Sequence, residues 1–548
     1  MKLRNKIFSL LLAMILLFSA TALTACDEFL GAGEGTDDGD EPKADPVLDP
    51  TPVEDNYRTF YQIFVGSFSD SNGDGFGDLR GIINRMDYLN DGDINSGNDL
   101  GVQGIWLSPI FASPSYHKYD AKDYYSFDWR FGSESDLVEL IELCHERNVK
   151  IILDLAINHT SNQHEWFKQF KEARSKGDTT NKYYNYYSCV RESQKKSGRQ
   201  YQKIAGVDFW YECNFSGDMP ELNYDNREVR EEMLKVAQYY LNLGVDGFRF
   251  DAVKYIYFQD GASKNVAFWE WYMGELRKDY PDMYAVGECW SGDTEVLQYY
   301  KAFNCFNFTA GQTSGKIAAA AKGNSLSSYL NYVESYQDKV QAVNPERMPM
   351  YFLSNHDTDR IAGTFINENF MRVAASLYLL SPGSHTIYYG EEIGMRGSVA
   401  NENSDANLRL AMLWGDDDFV RDPEGATYPV DKQVQTTVKD SLENSASLLN
   451  HYRELISIRT KYPAIARGQY NTITSRDRNV GGFYIKYEGQ VIGVIHNTSM
   501  NEVSLELAKF SGLDGIKFSE ILETVGVGSA SISNGVLTIS GHTSIIIK

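Results

Sequence analysis

The five residues Gly247-Phe248-Arg249-Phe250-Asp251 predict a short buried strand that ends in a carboxylate. Arg249 and Asp251 are two residues apart, so their side chains leave the same face of an extended strand. A guanidinium beside a carboxylate keeps that carboxylate ionised, which suits a nucleophile that must be charged at neutral pH. The alternative is a structural Arg–Asp pair that closes a strand. The stretch alone does not distinguish a nucleophile from a structural ion pair, and the motifs in the rest of the chain distinguish them.

Further apolar runs have the same character, and amphipathic helical patterns separate most of them. The eight predicted strands are Phe60–Phe64, Gly104–Leu107, Val149–Leu155, Gly247–Phe250, Met283–Val286, Phe303–Phe308, Met350–Leu353 and Thr386–Tyr389. The helical patterns include Ser133–Glu146, Asn226–Leu243 and Asn265–Lys278. Buried strands that alternate with helices predict a parallel sheet. Eight of them over roughly 400 residues predict an α/β fold, a closed (β/α)8 or TIM barrel with insertions.

Two segments interrupt or follow this alternation. Residues 159–220 are loop-rich and aromatic and come directly after the third strand, so we predict a small inserted domain there. The barrel would then comprise residues 57–158 and 221–465. Residues 466–548 predict a C-terminal antiparallel β-sandwich. Its strand-like runs are Gly482–Tyr487, Val491–Asn497, Ile516–Glu523 and Ser544–Ile547.

The N-terminus predicts export. Basic residues precede the apolar run Ile7–Phe18, as in a secretory signal peptide, and the run is short for a membrane span. Its end, Leu23-Thr24-Ala25-Cys26, resembles a bacterial lipobox in which Cys26 becomes lipidated; an ordinary signal peptide with a chance cysteine is the alternative. Residues 27–56 predict a flexible acidic tether. We therefore expect an exported protein that is lipid-anchored at the surface or membrane of a bacterium.

The composition restricts the classes of partner. A formal net charge of −23 argues against nucleic acid, whereas a neutral polymer would not be repelled. The aromatic content of 13% suits stacking on the apolar faces of a ligand, although most of the rings belong to the core. The cysteines after Cys26 match no metal motif, and pairing of Cys189 with Cys213 or of Cys289 with Cys305 stays open. A monomer is expected.

The stretch Asp70-Ser-Asn-Gly-Asp-Gly-Phe-Gly-Asp78 predicts a calcium loop. Oxygen donors alternate around a turn that glycine permits, as at the start of an EF-hand. The Glu that closes an EF-hand is absent at the required spacing, so this loop is related but different. An uncomplexed polar turn, the alternative, would leave its carboxylates crowded. The expected ligands of a structural Ca²⁺ are the side chains of Asp70, Asn72, Asp74 and Asp78 and the carbonyl of Phe76.

Polar motifs follow four of the predicted strands. They are Asp154-Leu-Ala-Ile-Asn158-His159, Gly247-Phe-Arg249-Phe-Asp251, Gly287-Glu288-Cys-Trp290 and Ser354-Asn355-His356-Asp357. The carboxyl ends of barrel strands share one face, where active residues gather. In this order the motifs resemble the α-amylase superfamily, glycoside hydrolase family 13, over about residues 57–465. Further matches are Tyr119-Asp120, Met219–Asn223, Tyr388–Glu391 and the pair Asp405 and Arg409.

The resemblance implies retaining glycoside hydrolysis by three carboxylates. A retaining glycosidase needs a nucleophile and an acid/base roughly 5 Å apart. Asp251 is expected to be the nucleophile and Glu288 the acid/base, with a pKa that neighbouring carboxylates and Trp290 raise. By the same resemblance Asp357 holds the 2- and 3-hydroxyls of the distorted sugar ring.

The resemblance also implies contacts with an α-glucan. Tyr119 would be a stacking platform for the reacting sugar ring. Lys254 would contact the leaving-group side of the substrate, and Asp405 and Arg409 would contact its non-reducing side. For each of these residues the alternative is a purely structural role. The other expected substrate contacts are His159, Arg249 and His356. Tyr255 stands where many family members have His, which puts a second calcium site near the inserted domain in doubt.

Two motifs narrow the expected reaction. Asp251-Ala-Val-Lys254 resembles α-1,4-acting amylases more than α-1,6-glucosidases. Met219-Pro-Glu-Leu-Asn223 resembles the intermediate group between oligo-1,6-glucosidases and neopullulanases, which includes lipoprotein-type bacterial α-amylases. We therefore expect endo-hydrolysis of α-1,4 bonds in starch or maltooligosaccharides. A neopullulanase, cyclomaltodextrinase or oligo-1,6-glucosidase is the alternative. A non-catalytic glucan-binding surface protein is the alternative of another class, although such relatives lose catalytic carboxylates.

Overall fold

The computed structural model describes residues 55–324, 326–365, 367–399 and 404–548. Eight parallel strands form a closed barrel, and their order around it is their order in the chain. They are β1 (Thr59–Ile63), β2 (Gly104–Leu107), β3 (Lys150–Leu155), β4 (Gly247–Phe250), β5 (Tyr284–Gly287), β6 (Asn304–Phe306), β7 (Pro349–Phe352) and β8 (Ser384–Tyr388). The barrel closes where β1 pairs with β8, Thr59 opposite His385. The predicted (β/α)8 barrel is confirmed.

The predicted strands differ from the observed ones only at their ends. One of the two largest differences is at the run Phe303–Phe308, of which only Asn304–Phe306 is strand. This strand is short because its ladder is short: Val286 and Gly287 of β5 pair with its first two residues. A hydrophobic run marks what is buried, whereas the strand extends only as far as its neighbours pair with it.

The barrel interior is packed with large side chains. The innermost cluster consists of Phe60, Trp106, Ile152, Tyr284, Val286, Phe306, Phe308, Met350 and Phe352. Strand β4 contributes a cation to this interior: Arg249 points inward against Trp106, with 5.3 Å from its guanidinium to the ring centroid. The flanking Phe250 faces outward and packs on Trp269, with centroids 4.9 Å apart. The period-two alternation of a strand therefore brings a buried arginine into the barrel.

Glycine begins β4 because β5 approaches closely there. A Cβ on Gly247 would lie 1.9 Å from the carbonyl oxygen of Tyr284. Any other residue would push the two strands apart and displace Arg249 two residues later.

Helices cover the outside of the barrel, and the helix Glu165–Lys176 lies in the predicted insertion. They are Leu79–Asn84, Met86–Leu89, Glu134–Glu146, Glu165–Lys176, Arg227–Leu243, Ala262–Leu276, Asp293–Tyr299, Lys316–Ala321, Leu326–Val343, Glu368–Leu379, Val438–Glu443, Leu448–Lys461 and Pro463–Arg467. Two predicted helices began one residue early because Ser133 and Asn226 are N-caps, whose side chains accept from backbone amides of the first turn. The third predicted helix, Asn265–Lys278, is observed at Ala262–Leu276.

The predicted insertion contains a small sheet of its own. Strand Trp210–Glu212 lies between Cys189–Val190 and Tyr201–Lys203 in an antiparallel three-stranded sheet. A separate hairpin after β2 pairs Phe111–Ala112 with Asp123–Phe127. The exact limits of the inserted domain, 159 and 220, stay a prediction.

The C-terminal part consists of two antiparallel sheets. The five-stranded sheet contains, in spatial order, Gln469–Thr474, Val480–Tyr487, Gln490–Asn497, Thr543–Ile547 and Ile521–Gly526. The three-stranded sheet contains Val503–Glu506, Val536–Ile539 and Ala530–Ser533. Buried side chains of both sheets, among them Ile495 and Leu537, form one cluster, as in a sandwich. The predicted run Ile516–Glu523 differs from the observed strand, which begins at Ile521.

The predictions for the N-terminus lie outside the described residues. These are the signal peptide 1–26, the lipidated Cys26 and the tether 27–56, of which only Asp55 and Asn56 are described. In the part of the chain that the structure covers, no helix has the length and apolar character to cross a bilayer.

All five cysteines among the described residues are free thiols, so neither Cys189 and Cys213 nor Cys289 and Cys305 are paired.

Candidate active site

Arg249 lies at the centre of the carboxyl end of the barrel. Its Nη1 donates to Asp251 Oδ1 at 2.6 Å and to Asp154 Oδ1 at 2.8 Å, and its Nη2 lies 3.6 Å from Glu288 Oε2. The guanidinium is fully buried. One buried cation therefore contacts three carboxyl groups, whose ionised forms would otherwise be costly to bring together away from water. The predicted nucleophile and acid/base thus lie at the same guanidinium.

Asp154 fixes this arrangement from strand β3. Its Oδ2 accepts from Trp106 Nε1 at 3.2 Å and from the Tyr119 hydroxyl at 2.8 Å. Burial raises the pKa of Asp154 to about 6, and the positive charge of Arg249 opposes a larger shift. Asp154 is therefore ionised at neutral pH and acts as a permanent partner of Arg249.

Glu288 has a different environment although it lies beside the same arginine. Its Oε2 accepts from the backbone amide of Ala252 at 3.0 Å. Burial raises the pKa of Glu288 to about 8; Arg249 opposes this shift, while the charges of Asp251 and Asp357 add to it. A carboxyl group with this pKa is mostly protonated at neutral pH, as a general acid must be.

A strained turn links the two residues. Ala252, directly after Asp251, has a φ of +49°, in the left-handed region that side chains other than glycine rarely occupy. This conformation belongs to the turn whose amide hydrogen-bonds Glu288. Strain of order 1 kcal/mol is therefore present at the residue between the predicted nucleophile and the hydrogen bond to the predicted acid.

Asp357 is held by His356 on one side and by Arg409 on the other. His356 Nε2 lies 2.9 Å from Asp357 Oδ2, and Arg409 Nη2 donates to Asp357 Oδ1 at 2.9 Å. Desolvation alone would raise the pKa of Asp357, but the charges of His356, Arg409 and Arg249 outweigh it and hold the pKa well below its usual range. Asp357 is therefore an ionised hydrogen-bond acceptor at neutral pH.

Tyr119 and His356 join the two halves of the site. Their rings stack with centroids 5.4 Å apart, and the Tyr119 hydroxyl lies 2.5 Å from His356 Nε2. Gln62 Nε2 lies 2.7 Å from His356 Nδ1 on the other side of the imidazole. His159 Nε2 lies 3.2 Å from the Tyr119 carbonyl, and burial lowers the pKa of His159. The network thus runs without a break from Arg249 to Asp357.

The remaining predicted contacts lie at the rim. Asp405 Oδ2 is 3.0 Å from Arg409 Nη1, and Tyr116 donates to Asp405 Oδ1 at 2.7 Å. Lys254 lies elsewhere on the rim, where its Nζ donates to the carbonyl oxygen of Trp290 at 2.6 Å. All ten predicted catalytic and substrate-binding residues therefore lie together at the carboxyl end of the barrel; what each does in catalysis stays a prediction.

A family comparison agrees with this geometry. The sequence profile described as "Alpha amylase, catalytic domain" matches residues 62–468. The chain belongs to the α-amylase family.

Similar proteins of this family align with most of the chain. "Alpha-amylase 3" of Dictyoglomus thermophilum is 34% identical over 498 residues, which is 89% of this chain and 92% of that one. "4-alpha-glucanotransferase" of Thermotoga neapolitana is 30% identical over 459 residues, 81% of this chain and 97% of that one. The solved structure "Eubacterium rectale Amy13B" has a TM-score of 0.82 at 33% identity and covers 91% of this chain and 96% of its own.

The predicted calcium loop follows β1. Asp70 Oδ1 accepts from the amides of Asn72 and Gly73 at 3.0 and 2.8 Å, and Asp78 Oδ1 accepts from Gly81 at 2.6 Å, capping the helix Leu79–Asn84. Burial raises the pKa of Asp78, and the Asp70 charge adds to the increase. A cation would relieve this repulsion.

The donor set of this loop is hard oxygen throughout, which is what Ca²⁺ prefers. Two of the five predicted donors are the Asn72 amide and the Phe76 carbonyl. Among the described residues, no three or more His, Cys, Asp or Glu side chains converge on a point that suits a metal ion. The donors fit calcium by type, and the binding itself stays a prediction.

Four parts of the site were missed from the sequence. Asp154 begins one of the strand-end motifs but is not among the predicted site residues, although its position at a strand end indicates the site. Trp106 and Gln62 lie within apolar strands and gave no signal. Tyr116 bonds Arg409, 293 residues later, at 2.7 Å, a contact that only the fold reveals.

Proposed function

We propose that the protein is a retaining α-glucan hydrolase, an α-amylase that cleaves internal α-1,4 bonds of starch and maltooligosaccharides. The observation that carries this proposal is that Arg249 contacts Asp251 and Glu288 at once, with Asp357 ionised nearby. The name of the Dictyoglomus relative, 34% identical, supports the same substrate.

In the first step Asp251 would attack the anomeric carbon and form a glycosyl–enzyme ester. Glu288, protonated at neutral pH because its pKa is raised to about 8, would give its proton to the departing glycosidic oxygen. Asp357 would accept hydrogen bonds from ring hydroxyls, and these bonds strengthen as the ring distorts toward the oxocarbenium-like transition state.

In the second step the Glu288 carboxylate would take a proton from water as that water attacks the same carbon. The bond between C1 and Asp251 would break, which restores both carboxyl groups. Two displacements on one carbon give overall retention of configuration.

Incubation of the mature protein with amylose and with pullulan tests this proposal. Mixed maltooligosaccharides with the α-anomeric configuration, released early from amylose, are expected. Release of glucose alone, or attack on α-1,6 bonds alone, would refute the proposed endo-hydrolysis of α-1,4 bonds. A protein that binds glucan without cleaving it would support the non-catalytic alternative.

We also propose that the loop Asp70–Asp78 holds a structural Ca²⁺. The support is the all-oxygen donor set and the repulsion between Asp70 and Asp78. The ion would order the loop after β1 and would take no part in bond cleavage.

For location, we propose export and lipid anchoring through Cys26. The support is the lipobox-like Leu23-Thr24-Ala25-Cys26 and the acidic tether that follows it. Detergent phase partitioning tests this: the native protein should enter the detergent phase, and a Cys26→Ala variant should not. Equal partitioning of both would refute the anchor.

A further inference from the structure

The segment that begins at Arg409, after β8 in the chain, lies against the predicted calcium loop. Arg409 Nη2 donates to Asp357 at 2.9 Å. The backbone here is fixed by the buried Ser67, whose hydroxyl donates to the Arg409 carbonyl at 2.7 Å and whose carbonyl accepts from the Met412 amide at 2.8 Å. Ser67 lies three residues before Asp70, the first predicted calcium ligand. One hydrogen-bonded unit therefore contains the residue that bonds Asp357 and the start of the loop.

Asp418, further along the same segment, joins it to the first residues of the loop. Its Oδ2 accepts from the Ser69 hydroxyl at 2.6 Å and from Arg85 Nη2 at 2.8 Å, and its Oδ1 accepts from the Asp70 amide at 2.9 Å. The Asp418 side chain is only 8% exposed, and a carboxylate this buried needs such partners. Asp418 therefore fixes the backbone position of the first predicted ligand.

The segment and the loop also pack together through aromatic rings. Trp414 Nε1 donates to the Phe68 carbonyl at 2.6 Å, and the two rings meet edge to face with centroids 5.1 Å apart. The Arg85 guanidinium lies 4.1 Å from the centroid of the Trp414 ring. Both aromatic residues are buried. The contact is therefore part of the packed core, which moves as a unit rather than deforming continuously.

A second hydrogen bond joins the segment to the middle of the loop. The Arg421 amide donates to the Gly75 carbonyl at 2.9 Å. Gly75 has a φ of +90°, and a Cβ on it would lie 2.6 Å from Arg421 Nε, so this approach needs glycine. Asp422 Oδ1 accepts at 2.8 Å from the amide of Ala411, two residues after Arg409. The far end of the segment is therefore bonded back to its beginning.

Each end of this unit would bind a ligand. The charges of Asp70 and Asp78 repel each other, and a cation bound by the loop would fix the positions of both. A glucan that contacts Asp357 and Arg409 would fix the other end. Two ligands that favour the same arrangement of one unit raise each other's affinity, and thermodynamic linkage makes the two factors equal.

We propose that Ca²⁺ at the predicted calcium loop and α-glucan at Asp357 and Arg409 bind cooperatively, and that Asp418 is the positioning residue that couples the two sites. The proposal rests on the proposed function and on the proposed calcium loop, which supply the two ligands. Asp418 acts by holding the loop to the segment that begins at Arg409. Coupling between sites typically changes an affinity about 5- to 150-fold, and we expect about fivefold or more.

The test uses calorimetric titrations of the mature protein with the substitution Asp251→Asn, which lets maltoheptaose bind without being cleaved. After metal is removed with EDTA, and EDTA by dialysis, the Kd of Ca²⁺ is measured with and without saturating maltoheptaose. The Kd of maltoheptaose is measured with and without saturating Ca²⁺. Each ligand should lower the Kd of the other by the same factor, about fivefold or more. Titrations in Glu288→Gln should give the same factor, which controls for a folding defect of one variant.

Asp416 provides a matched control for Asp418. It accepts from the same guanidinium, with Arg85 Nη1 and Nη2 at 2.8 and 3.0 Å, but among the described residues it has no hydrogen bond to Ser69 or Asp70. Asp418→Ala should reduce the coupling factor to about one, whereas Asp416→Ala should preserve it. Either variant leaves Arg85 with one carboxylate partner, so both lose one ion pair.

Three results would overturn the proposal: a Kd of Ca²⁺ that maltoheptaose leaves unchanged, a factor that persists in Asp418→Ala, or an equal loss of the factor in Asp418→Ala and Asp416→Ala. A protein that binds no Ca²⁺ would refute the calcium loop and the coupling together. Failure of the native enzyme to release oligosaccharides from amylose would instead refute the proposed hydrolysis. Because the titrations need no turnover, the two failures are distinguishable.

Discussion

Replacing Glu288 by Gln should remove the proton donor while it preserves the shape of the side chain. The amide oxygen of Gln can still accept from the Ala252 amide, the bond that Glu288 Oε2 accepts at 3.0 Å. Because Glu288 is mostly protonated at neutral pH, the exchange replaces one neutral group by another and should leave the folded structure intact. The variant therefore isolates the chemistry of the proton.

The size of the effect follows from the raised pKa. With a pKa of about 8 in place of the ordinary 4.5, the protonated fraction of Glu288 at pH 7 is about nine-tenths rather than about 0.3%, a gain of roughly 300-fold in the active form. For the native enzyme, kcat/KM should fall tenfold per pH unit above about pH 8, because the required form is the protonated one. Loss of the acid should lower kcat/KM about 10²- to 10⁴-fold for a substrate whose leaving group needs a proton.

The assay compares two donors over pH 5 to about 10. Maltooligosaccharides need a proton on the departing oxygen, whereas α-maltosyl fluoride releases a stable anion without one. The Glu288→Gln variant should lose most of its rate on the former, lose about tenfold or less on the latter, and show no alkaline decline. Equal losses on both donors, or an alkaline decline that persists in the variant, would refute the assignment of Glu288 as the acid.

Three further predictions concern Tyr119, Arg409 and the proposed calcium loop. Tyr119→Phe keeps the ring and loses both hydrogen bonds of the hydroxyl, so kcat/KM should fall about 10- to 100-fold; an unchanged value would show that the hydroxyl does not order the site. Arg409→Ala removes one of the charges that lower the pKa of Asp357, so that pKa should rise. Asp357 is then protonated at a higher pH, and the acidic decline of kcat/KM should move to higher pH. A decline that moves to lower pH, or does not move, would contradict this. Added Ca²⁺ at about 100 times its Kd should stabilise the native protein by about 2.7 kcal/mol, seen as a higher Tm than in EDTA, and Asp70→Ala should abolish the difference; an equal Tm with and without calcium in the native protein would contradict the calcium loop.

The contact between Arg249 and Asp251 was predictable because it is local. A period of two along a strand puts both side chains on one face, and the structure joins them at 2.6 Å. The barrel was predictable for a related reason, since strands and helices alternate regularly in the sequence and a parallel sheet needs such crossovers.

The second partner of Arg249 was not predictable in the same way. Asp154 pairs opposite Arg249 in the register of β3 and β4, and that register comes from the closed barrel rather than from either strand alone. The positive φ of Ala252 likewise depends on how the turn meets Glu288. In the C-terminal sheets, four strands were missed because they are half-exposed and carry weak apolar patterns: Gln469–Thr474, Val503–Glu506, Ala530–Ser533 and Val536–Ile539.

The pairing of β1 with β8 means that the barrel can close only after nearly all of its strands have been synthesised. The barrel cannot close before His385 is available to pair with Thr59. A chain that ends before β8 therefore has two unpaired sheet edges, one on each side of the incomplete barrel. Contacts between residues this distant in sequence form slowly. Until they form, the exposed sheet edges can pair with other chains and cause aggregation. Fragments that end before Tyr388 should therefore aggregate instead of acting as smaller enzymes.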